Sequence, residues 1–212
     1  RKLLPAEWQR QEGHIMVKDV LMVVDIGNTD ITFGIFEGEE LTGTYRMTTN
    51  FQRTSDEYGM FIRDIFRLKH IDCDRLRGII ISSVVPKVMY SFESAVRKYT
   101  QMEPLVVGVG IRTGIRIATI NPLELGADRI VDAVGAYELY GGPIIVVDFG
   151  TATTYDVITE DATFSFGVIG PGLKSCAKAL WSDAAKLPEI EIKKPTTILG
   201  RDTISSMQAG LV

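Results

Sequence analysis

The sequence predicts an α/β protein made of two related lobes, and three observations carry that prediction. LMVVDIGNTDITFG, Leu21–Gly34, sets a branched apolar run against an Asp-x-Gly corner and then a second apolar-rich run. IIVVDFGTATTYDVI, Ile144–Ile158, repeats the design with Asp148 in the place of Asp25, and segments of helical spacing lie after each copy. At 212 residues, 45% apolar and 24% charged, the chain is long enough for two lobes of about 100 residues each.

Leu21–Val24 is rich in branched apolar residues, and Ile31–Phe36 alternates apolar with small or polar after GNTD, so the pair reads as a hairpin. EGEEL supplies the next turn. Thr54 or Ser55 caps a helix whose inward positions Tyr58, Phe61, Ile62, Ile65 and Leu68 recur at three and four residues. Ile79–Val85 is a buried strand stopped by Pro86, and Met89, Phe92, Val96 and Tyr99 mark a second helix. Leu105–Val107 gives a short strand. A third helix runs from near Ala127 to about Leu139 and is stopped by Gly141 and Gly142. Ile144–Val147 and Tyr155–Ile158 flank the second corner, Phe164–Ile169 is a further strand, and Leu173–Leu187 is a helix introduced by GPG. The expected division is a leader over 1–19, a first lobe over 20–125 and a second over 126–212.

Composition excludes several classes of function. A net charge of −4 without any block of basic residues offers little to a polyphosphate, so nucleic acid is not an expected partner. No apolar run approaches the roughly 20 residues that span a bilayer, and RKLLPAEWQRQEGHIM lacks the apolar core of a secretory signal. Cys73 and Cys176 are too few and too far apart for a disulfide framework or a zinc site, which fits a reducing cytoplasm. With only His14 and His70 available, proton transfer falls to carboxylates.

Asp25 and Asp148 each stand where a buried strand runs out, the edge of an open sheet where ligands bind in α/β folds. Gly27 and Gly150, two residues on, let the chain turn tightly and let an oxygen-rich group approach main-chain N–H donors. Asn28, Thr29, Thr151, Thr153 and Thr154 add short polar side chains. One such corner reads as an ordinary hairpin turn, but two in matching contexts suit a metal-bound phosphate. Neither a GxxxxGK[ST] loop nor a GxGxxG opening a helix after a strand is present.

A duplicated lobe with two such corners resembles the superfamily of acetate and sugar kinases, actin and heat-shock chaperones. DIGNT at Asp25–Thr29, SSVVP at Ser82–Pro86, NPxELGADR at Asn121–Arg129, DFGTATT at Asp148–Thr154, AKLP at Ala185–Pro188 and GRDT at Gly200–Thr203 narrow this to a resemblance to type III pantothenate kinase. The resemblance implies two actin-like, ribonuclease H-like lobes with mixed sheets and ATP in the cleft between them. It further implies phosphorylation of pantothenate, the first step toward coenzyme A, by a cytoplasmic homodimer that uses Mg2+ and a monovalent cation, K+ or NH4+. Asp25, Ile26, Gly27, Asn28, Thr29, Asp30, Ile31 and Thr32 would then hold ATP phosphates and, through Asp25, magnesium. Thr151 would contact another part of ATP, and Asp148 the monovalent cation. Gly126, Ala127, Asp128, Arg129 and Thr203 would bind pantothenate, with Asp128 as proton acceptor.

The residue types suit those roles. Pantothenate carries a carboxylate and a primary hydroxyl, so its site in an acidic protein needs a fixed cation, which Arg129 supplies. Asp128, at a helix start, stays ionised, and a low pKa is acceptable because phosphoryl transfer depends mainly on positioning and charge neutralisation. GPG at Gly170–Gly172 is read as structural, and Trp181 and Met207 as packing residues. Three positions depart from the family pattern: Phe166 before Gly167, Thr119 where many members have tyrosine, and Asp30 in place of a neutral residue. Members also continue past the point matching Val212, so the second lobe is expected to be truncated. Two other readings stay open, a noncatalytic regulatory relative and a sugar or acyl-phosphate kinase. Intact Asp25, Asp128 and Asp148 weigh against the first, and the pairing of GADR with DFGTATT against the second.

Overall fold

The computed structural model describes residues 19–211 apart from Val109, so the leader expected over 1–19 lies outside the described residues except for Asp19, as does His14. Contacts divide the chain into two units. One holds residues to Arg116 together with Ile120–Gly135, and the other holds Ile117–Thr119 with Ala136 onward. Gly126–Arg129 thus counts with the first unit. None of the helices among the described residues is long and apolar enough to cross a membrane.

The first unit is built on the sheet β3-β2-β1-β4-β5. Its strands are β1 (Val20–Ile26), β2 (Asp30–Glu37), β3 (Glu40–Thr48), β4 (Leu76–Ser83) and β5 (Leu105–Val106). β1, β2 and β3 form an antiparallel meander, while β4 runs parallel to β1 and β5 parallel to β4. A parallel neighbour requires a crossover, supplied by helix α1 (Ser55–Leu68), and a second helix, α2 (Pro86–Thr100), leads on toward β5. The period-two pattern of β1 buries Val20, Met22, Val24 and Ile26 on one face. Against them lie Ile31, Phe33 and Ile35 of β2 and the inward faces of both helices. Aromatic rings tie these layers: Phe33 stands 5.2 Å from Phe61 and 5.9 Å from Phe92, and Tyr58 meets Phe92 edge-on at 5.1 Å.

Local chemistry explains the element ends. The Thr54 side chain accepts from the Glu57 N–H while the Glu57 carboxylate accepts from the Thr54 N–H, a capping box that fixes the start of α1. Pro86 occupies the first turn of α2, where its missing N–H costs nothing. The expected helix near Ala127 is α3 (Ala127–Tyr140), and Gly141, at φ 74°, closes it by donating to the Tyr137 carbonyl at 2.8 Å.

In the second unit the sheet order is β6-β9-β8-β7, with β6 (Arg116–Ile117), β7 (Ile144–Phe149), β8 (Ala152–Ile158) and β9 (Thr163–Pro171). β7, β8 and β9 repeat the meander of β1, β2 and β3. The register repeats too: Asp25 pairs with Thr32 and Asp148 with Thr154. One feature differs. Ile145, Val147 and Phe149 stand at the positions of Met22, Val24 and Ile26 but are 63%, 41% and 70% exposed, and β7 is the sheet's outer strand among the described residues.

Helices α4 (Leu173–Asp183) and α5 (Thr203–Leu211) pack together through Ala177, Met207 and Leu211, with Ile190 between them. α4 stops earlier than the expected Leu187, because Ala184 adopts an extended backbone and a turn follows in which the Leu187 N–H donates to the Ala184 carbonyl. Pro188 then holds Leu187 out of helical geometry.

Candidate active site

The first corner is a three-residue connection, Gly27–Thr29, between β1 and β2. It is closed by the Gly27 N–H, which donates to the Asp30 carbonyl at 3.0 Å, and a Cβ on Gly27 would stand only 3.2 Å from that oxygen. Two outside segments pin it. The Thr49 N–H donates to the Thr29 carbonyl at 2.8 Å and the Thr49 hydroxyl to the Gly27 carbonyl at 2.6 Å, fastening the end of β3 beneath the corner. From the other side the Val84 N–H donates to the Ile26 carbonyl at 3.2 Å. Asp25, Asn28 and Thr29 are left exposed, and Asp30 and Thr32 half-buried, whereas the side chains of Ile26 and Ile31 lie fully in the core. These two isoleucines can offer a ligand only backbone groups.

The Gly126–Arg129 turn belongs to the same unit and reaches the same end of the sheet. A Cβ on Gly126 would lie 3.4 Å from the Val84 side chain, and Val84 is the residue bonded to Ile26. Such a Cβ would also collide with the Asp128 carboxylate as it stands, so a side chain here would displace that group. Asp128 stands in the first turn of α3, its Oδ1 accepting from the Arg129 N–H at 2.7 Å, and Ala127 and Ile130 anchor the helix by burial. Asp128 and Arg129 themselves remain half-buried. Val84, whose N–H reaches the Ile26 carbonyl, thus also stands close to Gly126.

Asp148 and Thr151 belong to the second unit. There Gly150 donates to the Ala152 carbonyl at 2.9 Å, and a Cβ on Gly150 would lie 3.2 Å from the Asp148 carboxylate. The start of α4 leans on this corner: the Gly172 N–H and the Ser175 hydroxyl both donate to the Thr151 carbonyl, at 3.2 and 3.0 Å. Any side chain at Gly172 would drive into the Gly150–Thr151 backbone, a physical reason for the last glycine of GPG.

Thr203 opens α5, in a depression of about 770 Å³ lined also by Arg201, Asp202, Ser206 and Met207. The neighbouring Asp202 carboxyl is held below its ordinary range, chiefly because the Ser205 N–H donates to it. Met207 is buried between α4 and α5.

The residues at the first corner fit a phosphate with its divalent metal. An exposed carboxylate, a glycine where a Cβ would be tight and short hydroxyls form the ligand set such a group needs, and Ser82 adds a buried Oγ with no hydrogen-bond partner in the protein. Sequence reading quoted Ser82 as part of SSVVP without giving it a role, and it missed Thr49, whose bond to Gly27 spans 22 positions and leaves no local pattern.

A family model described as type III pantothenate kinase matches residues 21–212. A type III pantothenate kinase of Agathobacter rectalis is 56% identical over 193 residues, covering 91% of this chain and 74% of that protein. Its counterpart in Bacillus cytotoxicus is 49% identical over the same shares. Among solved structures, a Baf family protein from Campylobacter jejuni is similar at a TM-score of 0.49 and 16% identity, over 89% of this chain and 72% of that one, a likeness too loose to reason from.

Proposed function

Since the chain belongs to the type III pantothenate kinase family, we propose how its residues divide the work of phosphorylating pantothenate with ATP, the first step toward coenzyme A. Asp25 to Thr32 hold the ATP phosphates, Ile26 and Ile31 through their main chain alone, and Asp25 carries the magnesium. Thr151 takes another part of ATP, and Asp148 a monovalent cation, K+ or NH4+. Gly126, Ala127, Asp128, Arg129 and Thr203 receive pantothenate. Two actin-like lobes carry these groups, and the working molecule is a homodimer, which light scattering coupled to gel filtration would test.

Bound ATP supplies the phosphoryl group, and its magnesium neutralises the charge that develops during transfer. Asp128 accepts the proton of the substrate's primary hydroxyl as that oxygen becomes the nucleophile. Because its Oδ1 is already held by the Arg129 N–H, the carboxylate has a fixed orientation and one oxygen left for the substrate. Arg129 contributes the cation that a carboxylate-bearing metabolite needs in a chain of net charge −4. Gly126 keeps the approach to Asp128 clear of any side chain.

One observation carries this reading above the others. The bond from Val84 to Ile26 and the closeness of the Val84 side chain to the Gly126 position support service of a single site by Asp25 and Asp128, with the phosphates at one and the acceptor hydroxyl at the other. The test is phosphopantothenate formation from ATP, Mg2+, K+ and pantothenate. Asp128→Asn should lower kcat by about 10² to 10⁴-fold while nucleotide binding persists. Exchange of K+ for Na+ should lower the activity of the native protein and leave that of Asp148→Asn unchanged. No product from the native protein would remove the assignment of all these roles.

A further inference from the structure

Resting on the phosphate-site reading above, we infer that Ser82 is a positioning residue for Asp25: unpaired in the unliganded protein, its hydroxyl turns to donate to the Asp25 carboxylate when the metal-bound phosphate is held, and so fixes the orientation in which that carboxylate meets it. Ser82 is the register partner of Asp25 across the parallel pair β1–β4. Strands so paired lie about 4.8 Å apart, and side chains at paired positions share a face. Val24 and Ile81, one residue back on each strand, are both in the core, so Asp25 and Ser82 together face the other side of the sheet. A carboxylate and a hydroxymethyl group at that spacing reach hydrogen-bond distance by rotation about χ1 alone.

The state of Ser82 is what makes the inference more than adjacency. It is only 4% exposed, and its Oγ is one of two buried side-chain oxygens with no hydrogen-bond partner in the protein among the described residues. A buried hydroxyl left unpaired is destabilising, and alanine in its place would relieve that cost. Ser83, next along, is already engaged, since its Oγ accepts from the Val85 N–H at 3.1 Å, so Ser82 is the hydroxyl of the pair that is available. A carboxylate has about four acceptor positions, enough to take this donor and still face a ligand. The second corner has no counterpart: Asp148 has Thr154 on one side, and β7 has no strand on its other edge among the described residues.

The experiment compares the native chain with Ser82→Ala and Ser82→Thr by calorimetric titration with Mg-ADP and by urea unfolding without nucleotide. The expected result is that Ser82→Ala is at least as stable as the native protein yet binds Mg-ADP about tenfold more weakly, the loss of one hydrogen bond to a charged group. Ser82→Thr, which keeps the hydroxyl, should bind within about twofold of native. Equal binding by Ser82→Ala, equal weakening in Ser82→Thr, or a lower unfolding midpoint for Ser82→Ala would overturn the proposal and leave Ser82 a packing residue. Failure of the native chain itself to bind Mg-ADP would instead overturn the phosphate-site reading, and the inference with it.

Discussion

Single side chains at the two ends of β1 do different work. At its start, Arg75 clamps Asp19 and Glu37 with contacts of 2.8 and 2.9 Å, tying the first strand to the end of β2 and the beginning of β4. The hydrogen bond from Arg75 is the main cause that holds the Asp19 carboxyl below its ordinary value, which is about 3.9 when unperturbed. A group whose folded pKa is lowered adds stability above the ordinary value and loses it as pH falls through the folded one. Urea midpoints measured from pH 6 down to pH 2 should therefore decline on an acid limb that Arg75→Met makes shallower, and the midpoint of that variant at pH 6 should already be lower. At the other end of β1, the corner of Asp25 and Gly27 was legible in the sequence from residue type and spacing, whereas the role expected of Asp128 came from the resemblance. Ile26 and Ile31 were less legible. They stand inside the motif proposed to hold phosphate, yet strand alternation sends their side chains into the core.

Elements with strong local signals were read correctly, and those without them were not. α1 was legible because the Thr54–Glu57 capping box and the inward row from Tyr58 to Ile65 point the same way, although Leu68, expected on that row, is 70% exposed at the helix end. β3 was passed over as a turn followed by nothing, since ELTGTYRMT mixes polar and apolar residues on an edge strand that buries none of its side chains fully. α5 went unread because its few inward residues, Met207, Gln208 and Leu211, are too short a pattern to stand out. Packing of α1 on α2 could not be read at all, and it turns on Gly59: a Cβ there would drive into the ring of Tyr99, whose hydroxyl is held by Asp56 at 2.9 Å. Glycine is disfavoured inside a helix, yet Gly59→Ala should lower stability by about 1–3 kcal/mol, because overpacking outweighs the gain in helix propensity. Thermal unfolding checks the sign. Combining it with Tyr99→Ala, which opens the space, should recover part of the loss.

At the scale of the whole chain, duplication was the most legible property, since the two meanders and their Asp–Thr pairings follow from motifs visible in the sequence. What the repeat concealed is inequality. The first unit sandwiches its sheet's inner face beneath two helices, whereas buried apolar residues of the second gather mainly between α4 and α5. Backbone amides in well-packed central strands open only with larger unfolding events. Hydrogen exchange should accordingly protect β1 and β4 most strongly, with β7 exchanging orders of magnitude sooner; equal protection of β7 and β1 would contradict this account.

The row Ile145, Val147 and Phe149, along a strand that is outermost among the described residues, has a consequence for the liquid in which the protein is dissolved. Molecules that carry an exposed apolar row along such a strand attract one another despite a net charge of −4. Static light scattering should give a negative second virial coefficient, and a lone lysine at Val147 should turn it positive.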